Sequence, residues 1–305
     1  MMGISVFPDD DQLFCGMIGT HGVKMANAAV NECDVLFLVG ARVGDRAVKT
    51  PLALEKTTKI IHIDIDPAEI GKNIGADLPL VGDAKLVLQQ MTELAKPMKH
   101  DEWIAHIKTL GGERKYVEPA KGTVNPRVFI DKLAKKMPAN VTVVADVGQN
   151  QIWTCTEYKF RKEGRLLTSG GMGTMGYSVP AAIGAKMADD SRATVAICGD
   201  GAFQMSFMEL ATAVQFGVDI KVVVMTNNRL GMVRELQTNG YHDRQTAVFL
   251  DGSPDFIKLA EAYGIPAMRV YDDDTMEKGV EMLAEHKGIC LLYTSPSPRD
   301  RSLSR

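Results

Sequence analysis

Two short apolar runs, separated by a segment with helical spacing, stand out in the second half of the chain. Residues 193–198 and 220–225 are short, apolar and partly β-branched, which is typical of buried parallel strands. Between them, apolar residues recur with helical spacing over 206–216. The pattern predicts a strand–helix–strand unit in which both strands belong to one parallel sheet.

The same alternation runs through the first part of the chain. The spacing predicts a helix that ends at Cys33, a strand over 34–39 and a second strand over 59–67, which a proline ends. Strands that alternate with helices favour an α/β fold, here with two Rossmann-like parallel-sheet domains.

Composition along the chain suggests the domain bounds. Residues 1–97 carry the first alternating pattern, and a polar, charged stretch over 98–122 follows as a linker. The helix and strand patterns then resume, so we place the second domain at 123–292. Beyond it, residues 293–305 mix serine, arginine and proline and cannot continue a central strand. We interpret them as a non-native tail; the alternative is a disordered native one.

Composition and charge narrow the class of protein. With 305 residues the chain can bury two cores, and 35 basic against 38 acidic residues give no electrostatic reason to expect nucleic acid as a partner. No apolar stretch reaches the roughly 20 residues that a membrane helix needs, so we expect no membrane partner. The five cysteines are scattered and no signal peptide is recognisable, which favours a cytoplasmic location.

Polar residues close both buried runs. Gly199, Asp200 and Gly201 follow the first run, and Asn227 follows the second. Ligands of open parallel sheets bind beyond the carboxyl ends of the strands, so these side chains are expected to lie close together. Such oxygens, completed by phosphate and water, suit Mg²⁺, and the expected ligands are Asp200, Asn227 and a carbonyl near Arg229. The alternative is a pair of unrelated turns.

These motifs resemble those of the thiamine diphosphate (ThDP)-dependent enzymes, whose cofactor motif begins with Gly-Asp-Gly and ends with Asn-Asn. Within that family the chain is similar to the acetolactate synthase catalytic subunit. The similarity extends from about Gly16 to Cys290. The segments that carry it are residues 40–46, 146–149, 170–185, 199–201, 227–228 and 231–233.

The resemblance assigns ThDP contacts to the second domain. It implies that Met175 supports the bent cofactor, a role that suits an unbranched, polarizable side chain. It also implies that the segment after Asp200 addresses the diphosphate and the metal. The implied ThDP set is Val147, Gly148, Gln149, Asn150, Gly173, Met175, Asp200, Gly201, Ala202, Asn227, Leu230, Gly231 and Met232.

The resemblance also implies FAD in the first domain, although a Gly-x-Gly-x-x-Gly fingerprint is lacking and some relatives bind ADP or nothing there. Arg42 and Arg46 follow a strand, where they can pair with a pyrophosphate, and Asp64 or Asp66 can bind a ribose hydroxyl. The implied FAD set is Thr20, His21, Gly22, Gly40, Ala41, Arg42, Arg46, Asp64, Ile65, Asp66, Gly82 and Asp83.

The implied activity is the decarboxylation of pyruvate and its joining to a second small 2-keto acid. The product is 2-acetolactate or 2-aceto-2-hydroxybutyrate, in the first common step of branched-chain amino acid biosynthesis. Other ThDP enzymes of the same architecture are alternatives, namely pyruvate oxidase, glyoxylate carboligase and sulfoacetaldehyde acetyltransferase. A non-catalytic cofactor-binding fragment is a further alternative.

The resemblance implies a homodimer or tetramer of catalytic subunits with the active site at the interface, and a regulatory small subunit. In that family a glutamate of an N-terminal domain, supplied by the opposite subunit, promotes the cofactor's proton shuttle. We expect that domain to be missing here, so we expect no catalytic residue in this chain and no activity of the chain alone.

One position departs from the family pattern. Met232 and Leu236 are expected on the substrate side of the cofactor, and many acetolactate synthases place a tryptophan where Leu236 stands. That tryptophan is linked to a preference for 2-ketobutyrate over pyruvate as the acceptor. Leucine offers less aromatic area, so we expect weaker discrimination between the two acceptors.

Overall fold

The computed structural model describes residues 1–112, 116 and 118–294, which divide into two compact units. The smaller unit comprises residues 15–112. The larger unit comprises residues 1–14 and the described residues from 116 onward. Most of the predicted non-native tail, residues 295–305, lies outside the described residues.

A three-stranded parallel sheet, whose strands lie side by side in chain order, forms the centre of the smaller unit. Ile60 and Ile63 of its middle strand are fully buried. The strands are Val35–Val39 (β1), Lys59–Asp64 (β2) and Leu78–Val81 (β3). The helices are Lys24–Glu32 (α1), Pro51–Leu54 (α2), Ala84–Leu94 (α3) and Asp101–Gly111 (α4).

The two ends of the predicted first domain differ from this division. The stretch predicted to be a linker contains α4, which contacts α1 and buries Ile107 in the smaller unit. Residues 1–14 instead pack in the larger unit, where Asp9 N donates to Phe160 O at 2.8 Å and Phe160 N donates to Asp9 Oδ2 at 3.2 Å. Long-range contacts of this kind set the division, and local composition does not report them.

Six parallel strands in the order β5-β4-β6-β7-β9-β8 form the sheet of the larger unit. The runs predicted at 193–198 and 220–225 are β6 and β7, each displaced by one residue at its start. The last strand, β9, extends through Thr294, two residues beyond the predicted domain end. The strands are Thr142–Ala145 (β4), Arg165–Thr168 (β5), Thr194–Gly199 (β6), Lys221–Met225 (β7), Ala267–Val270 (β8) and Cys290–Thr294 (β9).

Helices follow most of these strands. The helix predicted over 206–216 is split into a 3₁₀ turn, Phe207–Glu209, and α9. A four-residue helix, α8, begins directly at the end of β6. The α-helices are Pro126–Lys136 (α5), Gln149–Glu157 (α6), Ser178–Ala188 (α7), Asp200–Phe203 (α8), Leu210–Gln215 (α9), Gly231–Gly240 (α10), Phe256–Ala262 (α11) and Asp273–Glu285 (α12).

The predicted fold class is confirmed, because the chain is an α/β protein with two parallel-strand sheets. The central strands of the larger sheet, β6 and β7, are apolar except for Thr194 and Lys221 at their starts, and almost all of their residues are buried, as expected for strands covered on both faces. Within the part of the chain that the structure describes, no helix is both long and apolar enough to cross a membrane.

Candidate cofactor site

The carboxyl ends of β4, β6 and β7 border one cleft in the larger unit. These strands are neighbours in a parallel sheet, so the segments that follow them leave the sheet at the same edge. The cleft has an empty volume of about 570 Å³, part of which is open to solvent. The predicted site residues that line it are Val147, Gly148, Gln149, Asn150, Met175, Asp200, Gly201, Ala202, Asn227, Arg229, Leu230, Gly231 and Met232.

Asp200 is the first residue after β6 and is only 1% exposed. Its Oδ1 accepts a hydrogen bond from Gly201 N at 2.9 Å, and its Oδ2 accepts from Asn227 N at 3.0 Å and Asn228 N at 2.6 Å. Burial raises the pKa of Asp200, and these N–H donors act in the opposite direction. The hydrogen bonds join the end of β6 to the segment after β7 and hold the carboxylate in place.

Asn227 belongs to a second network, which joins the segments after β4 and β7. Its Oδ1 accepts from Arg229 N at 3.0 Å, and its Nδ2 donates to Gln149 Oε1 at 3.3 Å. Gln149 Nε2 donates in turn to Glu235 Oε2 in α10 at 3.2 Å. Asp200 and Asn227 are therefore brought together, as the strand endings predicted, and Gln149, which the family resemblance assigned to the site, joins them.

Two glycines leave room that a side chain would fill. A Cβ atom at Gly231 would lie 2.0 Å from Gln149 Oε1 and 2.8 Å from Asn227 Nδ2. A Cβ atom at Gly201 would lie 2.9 Å from Leu230 Cδ2 and 3.4 Å from Met175 Cε. Neither position can carry a side chain unless the groups that line the cleft move.

The residues that line the cleft are not identical to the predicted site residues. Gly173 and Leu236 are not among its lining residues, and the Leu236 side chain is exposed. Sequence reasoning missed Trp153, Met225 and Val233, which do line it. Their sequence signal is weak, since an apolar residue inside a helix or at the end of a buried strand is ordinary core.

The predicted flavin residues all lie in the smaller unit, several of them at one edge of its sheet. Gly40, Asp64 and Gly82 mark the carboxyl ends of its three adjacent parallel strands. Gly40 N donates to Ile63 O at 2.8 Å, and Gly82 N donates to Asp64 O at 2.9 Å. The side chain of Asp83 accepts a hydrogen bond from the first turn of α3, so this carboxylate already serves as a helix cap.

The segment before α1 lies against the loop that carries the two predicted flavin arginines. Thr20 N donates to Arg46 O at 2.8 Å, and a Cβ atom at Gly19 would lie 2.3 Å from the same oxygen. The backbone of Arg42 is held by Asn73, whose Nδ2 donates to Arg42 O at 2.7 Å. The Thr20 and Arg46 parts of the predicted flavin set are therefore neighbours.

The oxygen groups of the cleft fit one hard cation with a bound diphosphate. Among the described residues, no three or more His, Cys, Asp and Glu side chains form a group that could hold a metal. A cation here would take the Asp200 carboxylate and neutral oxygens near Asn227, with phosphate oxygens and water completing the shell. Mg²⁺ binds in this way, usually through one or two carboxylates and substrate phosphates.

Comparisons with known proteins agree with this geometry. Residues 146–294 match the family described as thiamine pyrophosphate enzyme, C-terminal TPP binding domain. Residues 1–91 match the thiamine pyrophosphate enzyme central domain. The chain belongs to the thiamine pyrophosphate enzymes.

Within that family, the chain is similar to acetolactate synthase large subunits. It is 41% identical over 289 residues to the probable large subunit of Methanocaldococcus jannaschii, and the aligned region covers 91% of this chain and 49% of the relative. It is 36% identical over 287 residues to the large subunit of Lactococcus lactis, and this alignment covers 93% of the chain and 50% of the relative. It is also 36% identical over 286 residues to the isozyme 3 large subunit of Escherichia coli, and this alignment covers 91% of the chain and 50% of the relative. The chain thus spans about half the length of these curated relatives.

Proposed function

We propose that this chain forms the ThDP- and Mg²⁺-binding part of an acetolactate synthase, a transferase of class EC 2.2.1.6. The observation that carries the proposal is the cleft in which Asp200, Asn227 and Gln149 meet at the ends of three neighbouring strands. The similarity to acetolactate synthase large subunits over about nine-tenths of the chain supports this reaction in preference to those of other ThDP enzymes.

The residues of the cleft divide into polar and apolar groups. Asp200 and Asn227 would hold Mg²⁺, and the diphosphate would approach the backbone beside Gly201. Met175 and Leu230 supply the apolar wall beside Gly201, since both approach the place that a Cβ atom there would take. Bound ThDP supplies the carbanion-stabilising chemistry by which a 2-keto acid loses CO₂ and is joined to another. The residues of this chain bind and orient that cofactor and exclude water.

Complete catalysis requires groups beyond this cleft. We propose that the activating glutamate comes from another domain and subunit, in a homodimer or tetramer that a regulatory small subunit accompanies. Small 2-keto acids are the proposed substrates, with Met232 on their side of the cleft. A cytoplasmic location is proposed because the five cysteines are scattered along the chain and show no disulfide pattern.

We propose that the smaller unit binds FAD at the carboxyl edge of its sheet. The adjacent strand ends at Gly40, Asp64 and Gly82, and the contact between Thr20 and Arg46, support this proposal. Arg42 and Arg46 supply positive charge beside the edge, which suits a pyrophosphate.

Gly231→Ala tests the ThDP cleft against a matched substitution in the same helix. The new Cβ atom would displace Gln149 and Asn227, so we expect ThDP affinity in the presence of Mg²⁺ to fall at least tenfold. Gly240→Ala, whose Cβ atom would approach only Leu236 Cδ1 at 4.0 Å, should leave it unchanged. Binding is read from the fluorescence of Trp153, which lines the cleft, in Trp103→Phe protein, since the chain has two tryptophans.

Two outcomes would contradict the proposal. One is a protein that shows no ThDP binding with Mg²⁺ present; the other is equal affinity in the Gly231→Ala and Gly240→Ala variants. For the complete enzyme, the product separates the reaction classes, because acetyl phosphate in place of acetolactate would indicate a pyruvate oxidase.

A further inference from the structure

Asp146 is a buried carboxylate beside the cleft that the proposed cofactor set does not include. It follows β4, it is 0% exposed, and it is not among the residues that line the cleft. Its backbone is fixed on both sides: its N–H donates to Ile197 O in β6 at 2.8 Å, and its carbonyl oxygen accepts from Asn150 Nδ2 at 2.8 Å. The carboxylate therefore projects from a rigid position.

Both carboxylate oxygens of Asp146 accept backbone N–H groups. Oδ1 accepts from Val147 N at 2.8 Å and from Gly176 N at 3.0 Å, and Oδ2 accepts from Ser178 N at 2.8 Å. Ser178 is the first residue of α7. A negative charge at the start of a helix is favourable, and charge-assisted hydrogen bonds are stronger than neutral ones. Asp146 thus fastens the glycine-rich segment 173–178 to the end of β4.

Met175 lies in this segment, directly before the first fastened residue. It lines the cleft, and its Cε approaches the space above Gly201. Gly176 has φ +82°, a backbone conformation that glycine adopts readily, and a Cβ atom there would lie 3.0 Å from Met205 Cβ, so the segment packs closely against Met205.

We propose that Asp146 is a positioning residue that fixes Met175 in the cleft through Gly176 and Ser178, and that it thereby sets the affinity for ThDP. The inference rests on the proposed function of the cleft. It differs from a role in fold stability alone, because it requires that loss of the carboxylate weakens cofactor binding in protein that is still folded.

The first measurement concerns the segment itself, without any cofactor. Asp146→Asn keeps the size of the side chain but replaces one carboxylate oxygen with an NH₂ group, which cannot accept a hydrogen bond from a backbone N–H. Glu157→Gln is the matched control: Glu157 is also a buried carboxylate of the larger unit, and it pairs with Arg127 at 2.6 Å away from the cleft. We expect amide hydrogen exchange at Gly176 and Ser178 to accelerate at least tenfold in Asp146→Asn but not in Glu157→Gln.

The second measurement is ThDP affinity with Mg²⁺, read from Trp153 fluorescence in Trp103→Phe protein. Asp146→Asn should weaken binding at least tenfold, and Glu157→Gln less than twofold, even where both lower the melting temperature equally. In protein that already carries Met175→Ala, Asp146→Asn should weaken ThDP affinity less than threefold, because the effects of two residues that act through the same contact are not additive. If Asp146→Asn does not fold, Asp146→Glu takes its place. Glutamate keeps both acceptor oxygens but places them one methylene farther from the backbone, so the expected loss of ThDP affinity is smaller.

The outcomes separate this inference from the proposal on which it rests. Unchanged exchange at Gly176 and Ser178 would overturn the positioning role whatever the cofactor does. Faster exchange with unchanged ThDP affinity, or full additivity with Met175→Ala, would overturn the link from Asp146 to the cofactor. Absence of ThDP binding in the unsubstituted protein would instead refute the proposed function, and the exchange result would still stand by itself.

Discussion

At the scale of single residues, Asp9 holds a carboxylate in surroundings that favour its protonated form. Its Oδ1 is buried and has no hydrogen-bond partner within the described part of the chain, while Oδ2 accepts from Phe160 N at 3.2 Å. Burial raises the pKa of Asp9 to about 6, and the Phe160 N–H and nearby Lys159 oppose that rise. The ionised side chain therefore costs stability at neutral pH.

We expect Asp9→Asn to raise the melting temperature at pH 7.5. The folded pKa lies above the unfolded value, so the folded state binds more protons between about pH 4 and 6, and the stability that Asp9 contributes is lost as pH rises through 6. Because the side chain is partly exposed, the effect is reduced to the order of 1 kcal/mol, which corresponds to a shift of about 2–4 °C. Thermal unfolding at pH 7.5 and pH 4 measures it.

Two further results decide whether the cause is the buried charge. The gain should largely disappear at pH 4, where folded Asp9 is neutral, and Asp10→Asn, which removes only the smallest cause of the raised pKa of Asp9, should give a clearly smaller gain at pH 7.5. An equal gain at both pH values would mean that Asp9→Asn acts through packing or hydrogen bonding.

Strand endings alone predicted part of the cleft, and the family resemblance supplied other lining residues such as Met175. Asp200 and Asn227 meet because β6 and β7 are parallel neighbours, which apolar runs reveal. Leu236 does not line the cleft, because it stands five residues after Gly231 in α10, about 140° around the helix. Glu235, four residues on, shares the face of Gly231 and reaches Gln149 instead. Trp153 could not be found, because its side-chain direction depends on how α6 packs.

At the scale of elements, glycines inside two helices serve opposite purposes. Gly279 lets α12 approach the sheet: a Cβ atom there would lie 2.4 Å from Leu292 Cδ1 and 2.9 Å from Val270 Cγ2, both in fully buried side chains. Gly184 in α7 is exposed, and its Cβ position meets no atom within 4 Å. The same substitution at the two sites separates packing from helix propensity.

Gly279→Ala should lower the free energy of unfolding by about 1–3 kcal/mol, the usual cost of overpacking a close interface. Gly184→Ala should raise it by up to about 1 kcal/mol, because alanine favours the helix and the site has room. Urea unfolding followed by circular dichroism measures both. If Gly279→Ala raises stability as Gly184→Ala does, helix propensity and not the approach of α12 to the sheet governs these positions.

Element prediction succeeded where local pattern and tertiary environment agree. The runs of β6 and β7, which are apolar except for Thr194 and Lys221, were predicted to within one residue at each end, because strands buried on both faces carry a nearly continuous apolar signal. Helix α4 was missed although Ile104, Ile107 and Leu110 recur at helical spacing, because the polar and charged residues on both sides of it suggested a linker. The four-residue α8 is too short to show any periodicity.

At the scale of the whole molecule, the two proposed cofactor sets fall in different compact units. Every residue that lines the cleft belongs to the larger unit, and every residue of the flavin set lies within 15–112. The family matches follow the same order along the chain, with the central domain first and the TPP binding domain second. The sequence showed two successive strand–helix patterns, but it placed residues 1–14 in the first domain, whereas contacts more than a hundred residues away join them to the larger unit.

Ligand-dependent hydrogen exchange tests this separation. A ligand that binds only the folded form of its site suppresses opening there, by about 2.7 kcal/mol at one hundred times its dissociation constant. ThDP with Mg²⁺ should therefore slow exchange in peptides of β4, β6 and β7, and FAD should slow it in peptides of β1, β2 and β3. Thiamine and riboflavin, which lack the diphosphate, serve as control ligands and should protect weakly. Arg42→Ala should abolish the FAD effect and leave the ThDP effect intact, whereas FAD protection that appears in β4–β7, or survives Arg42→Ala, would remove the flavin from the edge of the smaller sheet.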